Sequence, residues 1–285
     1  MGAAFEVRLC GHGQGGRAGE ACPERSTEHP VHSSWATTRV KRPPAAPTKV
    51  IHMPSATTKS FAAGDFDVYL LAQSWAPHFC CQHADRCHTV PWAFSANHLS
   101  LHGLWPGFLT PRNGQTFPAG CEAAKRLLPH LLPREYIDVA PSFATYDAAS
   151  RQATVGDLAK HEWKKHGTCT GLAPDEYFGE ALRAMSALPG NRGTPRVLSE
   201  RVGGVVSANE LRSSYLKRVA IRADKQCRLQ EVTSCWEKGA GGRVGRQVDC
   251  PEHVMRGRDT PSCGNIRVTQ LGQCLAGDGE KKRRK

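Results

Sequence analysis

Two segments of the chain gather side chains able to carry a proton or a charge near neutral pH. One is Leu101-His102-Gly103-Leu104-Trp105-Pro106-Gly107. The other runs from Lys160 through His161, Glu162, Trp163, Lys164, Lys165, His166, Gly167 and Thr168 to Cys169. An imidazole with an ordinary pKa of about 6.5 gives or takes a proton close to neutrality. A carboxylate and an ammonium beside two imidazoles shift one another's pKa values, and such clusters mark active sites. On a helix, residues four apart share a face, which sets Glu162 over His166 and His161 over Lys165. The zinc motif H-E-x-x-H also has its histidines four apart. Here they are five apart, roughly 140° around a helix, and do not converge on one ion. The chemistry expected is therefore proton transfer with no metal and no cofactor.

The elements that must hold these groups are legible in part. Phe66 to Ala72 is a short apolar run that reads as a buried strand. His98 to His102 alternates, with Ser100 and His102 on one face and Leu99 and Leu101 on the other, and Gly103 reads as its end. Glu122–Leu132 is a candidate helix, weakened by Pro129. Asp157 reads as the cap of a helix running to His166, stopped by Gly167. Pro174-Asp175-Glu176 opens another, with Phe178, Leu182, Met185 and Leu188 at helical spacing. Ser207-Ala208-Asn209-Glu210 has the form of a capping box, followed by Leu211, Tyr215 and Val219 on one face. Strands near Leu229–Ser234 and Asn265–Gln270 close the pattern. Strands and helices do not alternate regularly, which implies an α+β fold: one disulfide-bonded domain with a mainly antiparallel central sheet and flanking helices.

Composition bounds the class. The 285 residues carry a formal net charge of +12, which favours a polyanionic partner because neutralised phosphates release counterions. Ten of the twelve cysteines lie between Cys80 and Cys274. No two C-x-x-C pairs face each other as in a zinc ribbon, so disulfides in an oxidising compartment fit better. No apolar run of about 7–15 residues stands near Met1, and no export signal is legible. No stretch approaches the roughly 20 apolar residues of a membrane span, and no membrane partner is expected. Residues 1–62, rich in Gly and Pro, read as a disordered low-complexity extension, 63–276 as a catalytic domain and 277–285 as a basic tail ending in Lys281–Lys285.

The two chemical segments resemble the signature of the ribonuclease T2 family, an H-G-L-W-P segment followed by H-E-W-x-K-H-G-T-C. His102 to Pro106 and His161 to Cys169 agree at every specified position. Val68 to Trp75 and Asp175 to Phe178 are also similar to the family, and the resemblance covers roughly residues 66–275. It implies an endoribonuclease acting on single-stranded RNA, secreted or held in a periplasmic, lysosomal or vacuolar compartment, and working as a monomer. It implies His166 as general base and His102 as general acid, with Glu162 orienting or polarising His166. It implies that His161 and Lys165 hold the phosphate. The products would be a 2′,3′-cyclic phosphate and then a 3′-phosphate. Trp105 is the expected stacking platform for a base. Gly107 stands where many members have an acidic residue, which points to low base specificity.

The same resemblance pairs Cys121 with Cys169. Cys227 with Cys263 and Cys235 with Cys250 are further pairs, and one of Cys80 and Cys81 would bond Cys87. Cys274 and the remaining member are left for each other or for nothing, and Cys10 and Cys22 are unassigned. His78, His83, His88 and His98 read as surface or structural groups. A second reading is a catalytically silent RNA-binding or signalling protein on the same fold, though neither motif histidine is replaced.

Overall fold

The computed structural model describes residues 61–87, 89–121, 132–147, 149 and 152–274. Contacts along the chain separate Met1–Ser55 from Ala56–Lys285, and every described residue belongs to the second unit. Almost all of the 1–62 extension, the helix expected at Glu122–Leu132 save its last residue, His88 and the basic tail lie outside the described residues. The ring of Phe61, near the end of the stretch read as an extension, packs 4.8 Å from that of Phe108.

In chain order the described elements begin with β1 (Val68–Ser74), α1 (Ala76–Gln82), β2 (Ser100–Gly107), α2 (Tyr136–Val139), β3 (Ala144–Asp147) and β4 (Gln152–Val155). There follow α3 (Asp157–Lys165), α4 (Pro174–Ser186), α5 (Arg196–Ser199), β5 (Val205–Ser207) and α6 (Ala208–Ser213). The series closes with β6 (Ala220–Ala223), β7 (Leu229–Lys238), β8 (Val244–Val248), α7 (Glu252–Arg258) and β9 (Asn265–Arg267). Five strands form one antiparallel sheet in the order β2-β1-β7-β6, with β8 also paired to β7. This is the α+β arrangement with an antiparallel sheet and flanking helices.

The central strand β1 is buried on both faces. Tyr69 and Leu71 enter the larger core with Trp163, Tyr177 and Phe178 from α3 and α4. Val68, Leu70 and Ala72 enter a smaller core with Trp105, Cys235 and Val254, closed by α7. Strand side chains alternate between faces, so a strand covered on both sides reads as a continuous apolar run. Tyr177 ties the helical layer to the sheet by donating its hydroxyl to the Leu104 carbonyl, 2.8 Å away in the core.

Three local expectations change. The N-cap of α3 is Gly156, and Asp157 is instead its first helical residue, paired with Lys160 at 3.0 Å. A Cβ on Gly156 would stand 2.8 Å from the Phe143 carbonyl oxygen, so close chain approach selects glycine over a capping side chain there. Ser207 is the N-cap of α6, but its side chain makes no cap hydrogen bond. Its backbone is committed to β5, which pairs with β9. The second closing strand, β9, is shorter than the Asn265–Gln270 expected, covering Asn265–Arg267.

Among the described residues five disulfides join Cys80–Cys87, Cys81–Cys274, Cys121–Cys169, Cys227–Cys263 and Cys235–Cys250. The third links the loop after β2 to the turn after α3, where Gly120 N–H also donates to the Lys165 carbonyl at 3.1 Å. The last two bracket α7 in sequence and hold it against the sheet.

Candidate active site

Strand β2 carries the first chemical segment, and it does not end at Gly103. Its register with β1 runs from Ala72↔Gly103 to Gln73↔Leu101, which leaves His102 as the extra residue of a β-bulge. Bulges re-aim side chains. Strict alternation would put His102 and Trp105 on opposite faces. The bulge changes the phase, so Leu101 and Leu104 both enter the larger core while Trp105 packs on the other face, toward Leu70. His102 lies edge-on to the Trp105 ring, with centroids 5.3 Å apart.

Helix α3 carries the second segment. His166 is its C-cap, and the His166 ring lies 5.3 Å from Trp105 on the tilted side. Trp105 is therefore in ring contact with both imidazoles. Glu162 is 3% exposed, and its Oε2 accepts the indole N–H of Trp105 at 2.5 Å. The helical spacing implied that Glu162 faces His166. The link between them is instead the backbone bond from His166 N–H to the Glu162 carbonyl, 2.9 Å long, and the carboxyl turns toward Trp105. His161 and Lys165 are exposed at the rim.

Glycine follows His102 and His166 for a steric reason. A Cβ on Gly103 would stand 2.4 Å from Trp105 Nε1 and 2.6 Å from Glu162 Oε2, and one on Gly167 would stand 2.3 Å from the Trp163 ring. Gly103→Ala should therefore destabilise the fold by about 1–3 kcal/mol through overpacking and detach Trp105 from Glu162. Denaturant unfolding, with the indole N–H resonance of Trp105 as local probe, checks both effects. An unmoved resonance would contradict this account of Gly103.

The opposite wall comes from β6, β7 and α7. His102 Nδ1 lies 2.9 Å from Glu231 Oε2 on β7. Arg258 at the end of α7 donates to Glu231 Oε1 at 2.8 Å, and its guanidinium covers the Trp105 ring at 4.3 Å. These groups line a cavity of about 490 Å³ that also takes in Phe117, His161, Lys165, Arg222 and His253. A groove of about 860 Å³ meets it at His102, Leu158 and His161. The Trp105 indole is only 7% exposed, and its face is taken by Arg258, so it offers little open stacking surface. The broadly exposed ring of the cavity is Phe117, at 39%.

The electrostatics separate the two imidazoles. Burial lowers the pKa of His102, but the Glu231 hydrogen bond and the charges of Glu231 and Glu162 outweigh it and hold the group above its ordinary value. Burial, with the positive charges of Lys165, His161, Arg258 and His102, pushes His166 down to about 3. Glu162 is raised, chiefly by burial, against the pull of His102 and the Trp105 N–H. Glu231 is lowered despite burial, because His102, Arg258 and Arg222 stabilise its charge. Nδ1 of His166 is buried with no hydrogen-bond partner among the described residues. No cluster of three His, Cys, Asp or Glu side chains able to hold a metal occurs among them.

The structure thus brings His102, Trp105, His161, Glu162, Lys165 and His166 to one cavity. His78, His83 and His98 do not line it. Glu231, Arg258, Phe117, Arg222 and His253 were not singled out from sequence. Glu231 did leave a signal, a lone carboxylate within the otherwise apolar and small-polar run Leu229–Ser234. Arg258 left none.

Residues 66–201 match the model of the Ribonuclease T2 family. Ribonuclease 1 of Arabidopsis thaliana is 29% identical over 135 residues, which are 47% of this chain and 56% of that protein. The chain thus spans little more than half the length of that relative. A ribonuclease of Aeromonas hydrophila is 29% identical over 220 residues, 74% of this chain and 87% of that protein. The crystal structure of an S3-RNase from Japanese pear superposes with a TM-score of 0.44 and 18% identity, covering 72% of this chain and 98% of that one.

Proposed function

We propose that the chain is a ribonuclease T2-type endoribonuclease that cleaves single-stranded RNA without a metal, a reading supported by the match of residues 66–201 to the family model and by the likeness to the Aeromonas hydrophila ribonuclease. The observation that carries this reading is the convergence of His102, Glu162, Lys165 and His166 on one cavity around Trp105, with the two imidazoles tuned in opposite directions, His102 raised and His166 lowered. A pair of titratable groups pushed apart in pKa is how one site runs acid and base chemistry together.

RNA carries its own nucleophile. His166, neutral, takes the proton of the ribose 2′-hydroxyl as that oxygen attacks phosphorus. His102, protonated, gives a proton to the departing 5′-oxygen. The products are a 2′,3′-cyclic phosphate and a free 5′-hydroxyl. In a second step the roles exchange: His102 removes a proton from water, His166 returns one to the 2′-oxygen, and a 3′-phosphate remains. Lys165 and His161, exposed at the rim, meet the phosphate oxygens and stabilise the charge of the phosphorane. Glu162 fixes Trp105 through the indole N–H and, through its charge, favours protonated His102.

The cavity and groove that meet at His102 give room for nucleotides on both sides of the scissile phosphate, which supports internal cleavage. Phe117 offers an aromatic face to a base, with Trp105 in the floor, and stacking accepts any base, in keeping with low base specificity. Five disulfides favour an oxidising compartment outside the cytosol.

Digestion of a defined single-stranded RNA in excess EDTA tests the reading. Cleavage should persist and pass through a 2′,3′-cyclic phosphate, and a DNA of the same sequence, lacking the 2′-hydroxyl, should stay intact. Loss of cleavage on chelation with recovery on adding zinc would refute the two-histidine mechanism. RNA that binds and is never cut would favour the silent-protein reading.

A further inference from the structure

We propose that Glu231, with Arg258 behind it, is the positioning residue of His102: it fixes which ring nitrogen faces the substrate and how readily that nitrogen holds a proton. The inference rests on the two-histidine reading of the cavity, and it concerns residues of the chain that lie beyond the segment matching the family model.

The geometry is that of a three-membered line. His102 Nδ1 and Glu231 Oε2 are 2.9 Å apart, and Glu231 Oε1 takes a hydrogen bond from Arg258 at 2.8 Å and a weaker one from the Thr233 hydroxyl at 3.3 Å. The Glu231 side chain is 7% exposed, that of Arg258 27% and that of His102 36%. A buried carboxylate without a cation would take up a proton. Arg258 supplies the cation, so Glu231 remains an acceptor only, and Nδ1 of His102 must carry the hydrogen between them. That leaves Nε2 as the nitrogen free to deliver a proton. A carboxylate behind a histidine fixes tautomer and ring orientation in this way and stabilises the imidazolium.

The strand register makes the line possible. Glu231 pairs with Ser74 at the end of β1, and Ser74 pairs in turn with Ser100 on β2. The bulge at His102 lets the imidazole reach across β1 to β7. On the far side Arg258 is the last residue of α7, where Arg222 of β6 donates to the Gly257 carbonyl at 3.2 Å and Asp259 takes Arg212 at 3.0 Å. The charged groups that bear on His102 are thus Glu231 on β7, Glu162 on α3, His166 at the end of α3 and Arg258 on α7, while His161 and Lys165 of α3, Arg222 of β6 and His253 of α7 line the same cavity. Of these, only Glu231 touches the ring.

In the proposed reaction the proton on Nε2 goes to the leaving 5′-oxygen, while the hydrogen on Nδ1 stays on the ring beside Glu231. The imidazolium becomes neutral and Glu231 remains ionised throughout. Activity then falls as the pH rises through the pKa of His102, because the acid is lost. Removing the Glu231 charge moves that alkaline limb to lower pH, and removing Arg258 moves it to higher pH.

Imidazole nitrogen–proton correlation spectra across a pH series on the full chain read this without any RNA. In the unaltered protein neutral His102 should carry its hydrogen on Nδ1. Glu231→Gln, which keeps the shape, should lower the pKa of His102 by about 1 unit or more, the usual effect of an adjacent opposite charge. Arg258→Met, which keeps the stem over Trp105, should raise it. The double variant, with no buried charge left unpaired, should still titrate below the unaltered protein and guards against misfolding of either single one. The alkaline limb of kcat should move with the spectra while KM changes little. A folded Glu231→Gln variant in which His102 titrates unchanged, or a neutral ring with its hydrogen on Nε2, would overturn the proposal. If the shifts occur in a protein that cuts no RNA, the function is wrong and the positioning stands.

Discussion

Replacing His102 or His166 with alanine is expected to lower RNA turnover by at least about a hundredfold in each case, because general acid–base catalysis contributes roughly 10²–10⁴ per group. Binding of RNA should weaken far less. Affinity for a polyanion rests mainly on phosphate contacts, and the chain carries a net charge of +12. His166 is 5% exposed, and its Nδ1 has no hydrogen-bond partner among the described residues, so its truncation breaks no side-chain hydrogen bond at that nitrogen and should leave the fold intact. His102 stands on the bulge at the cavity wall, and its truncation frees Glu231 from one of its three side-chain partners without opening the core. The two losses should not multiply, since acid and base serve one transfer of charge across the same phosphate. Single-turnover cleavage of a dinucleotide separates chemistry from binding. Rates equal to the unaltered protein from a folded His166→Ala variant would remove that residue from the mechanism.

The second large effect is expected from opening Cys121–Cys169. The bond spans a sequence separation of 48 residues, for which loss of loop-closure entropy alone corresponds to about 4 kcal/mol. Cys121→Ser or Cys169→Ser should therefore lower unfolding free energy by about 2–5 kcal/mol. The effect should reach the site as well as the fold. Cys169 lies just past His166, in the turn after α3, and Gly120 is hydrogen-bonded to Lys165, so the bond holds α3 against the loop that carries Phe117. Both variants should lose activity at temperatures where they remain folded. Denaturant unfolding and peptide mapping of the active protein check this, and a free Cys169 thiol in fully active protein would refute it.

The residues proposed to bear the chemistry were legible because they are local. His102 with Trp105, and His161 through His166, lie within single short stretches, and spacing on one strand or one helix says which of them can meet. The same locality made α3 and α4 and the strands β1 and β7 readable from apolar period and glycine stops. What spacing could not show is where one element is interrupted by another. The bulge at His102 arises from the register of β2 on β1, and it puts His102 and Trp105 on one face against the strict alternation of the strand. Asp157 and Ser207 carry the right side chains for capping, yet close approach of Phe143 and pairing of β5 with β9 decide those helix starts.

Glu162 shows the limit most directly. Helical spacing aims it at His166, whereas the indole N–H of Trp105, brought in by another strand, takes its carboxyl. Glu231 and Arg258 lie 129 and 156 positions beyond His102 in the numbering, and no pattern in the sequence joins them. Sequence by itself determined the chemical groups and the two segments that carry them, because proton-transfer chemistry needs particular residue types at short range. Tertiary structure alone decided the charge around each imidazole, because pKa depends on burial and on partners a few ångströms away in space, however distant along the chain.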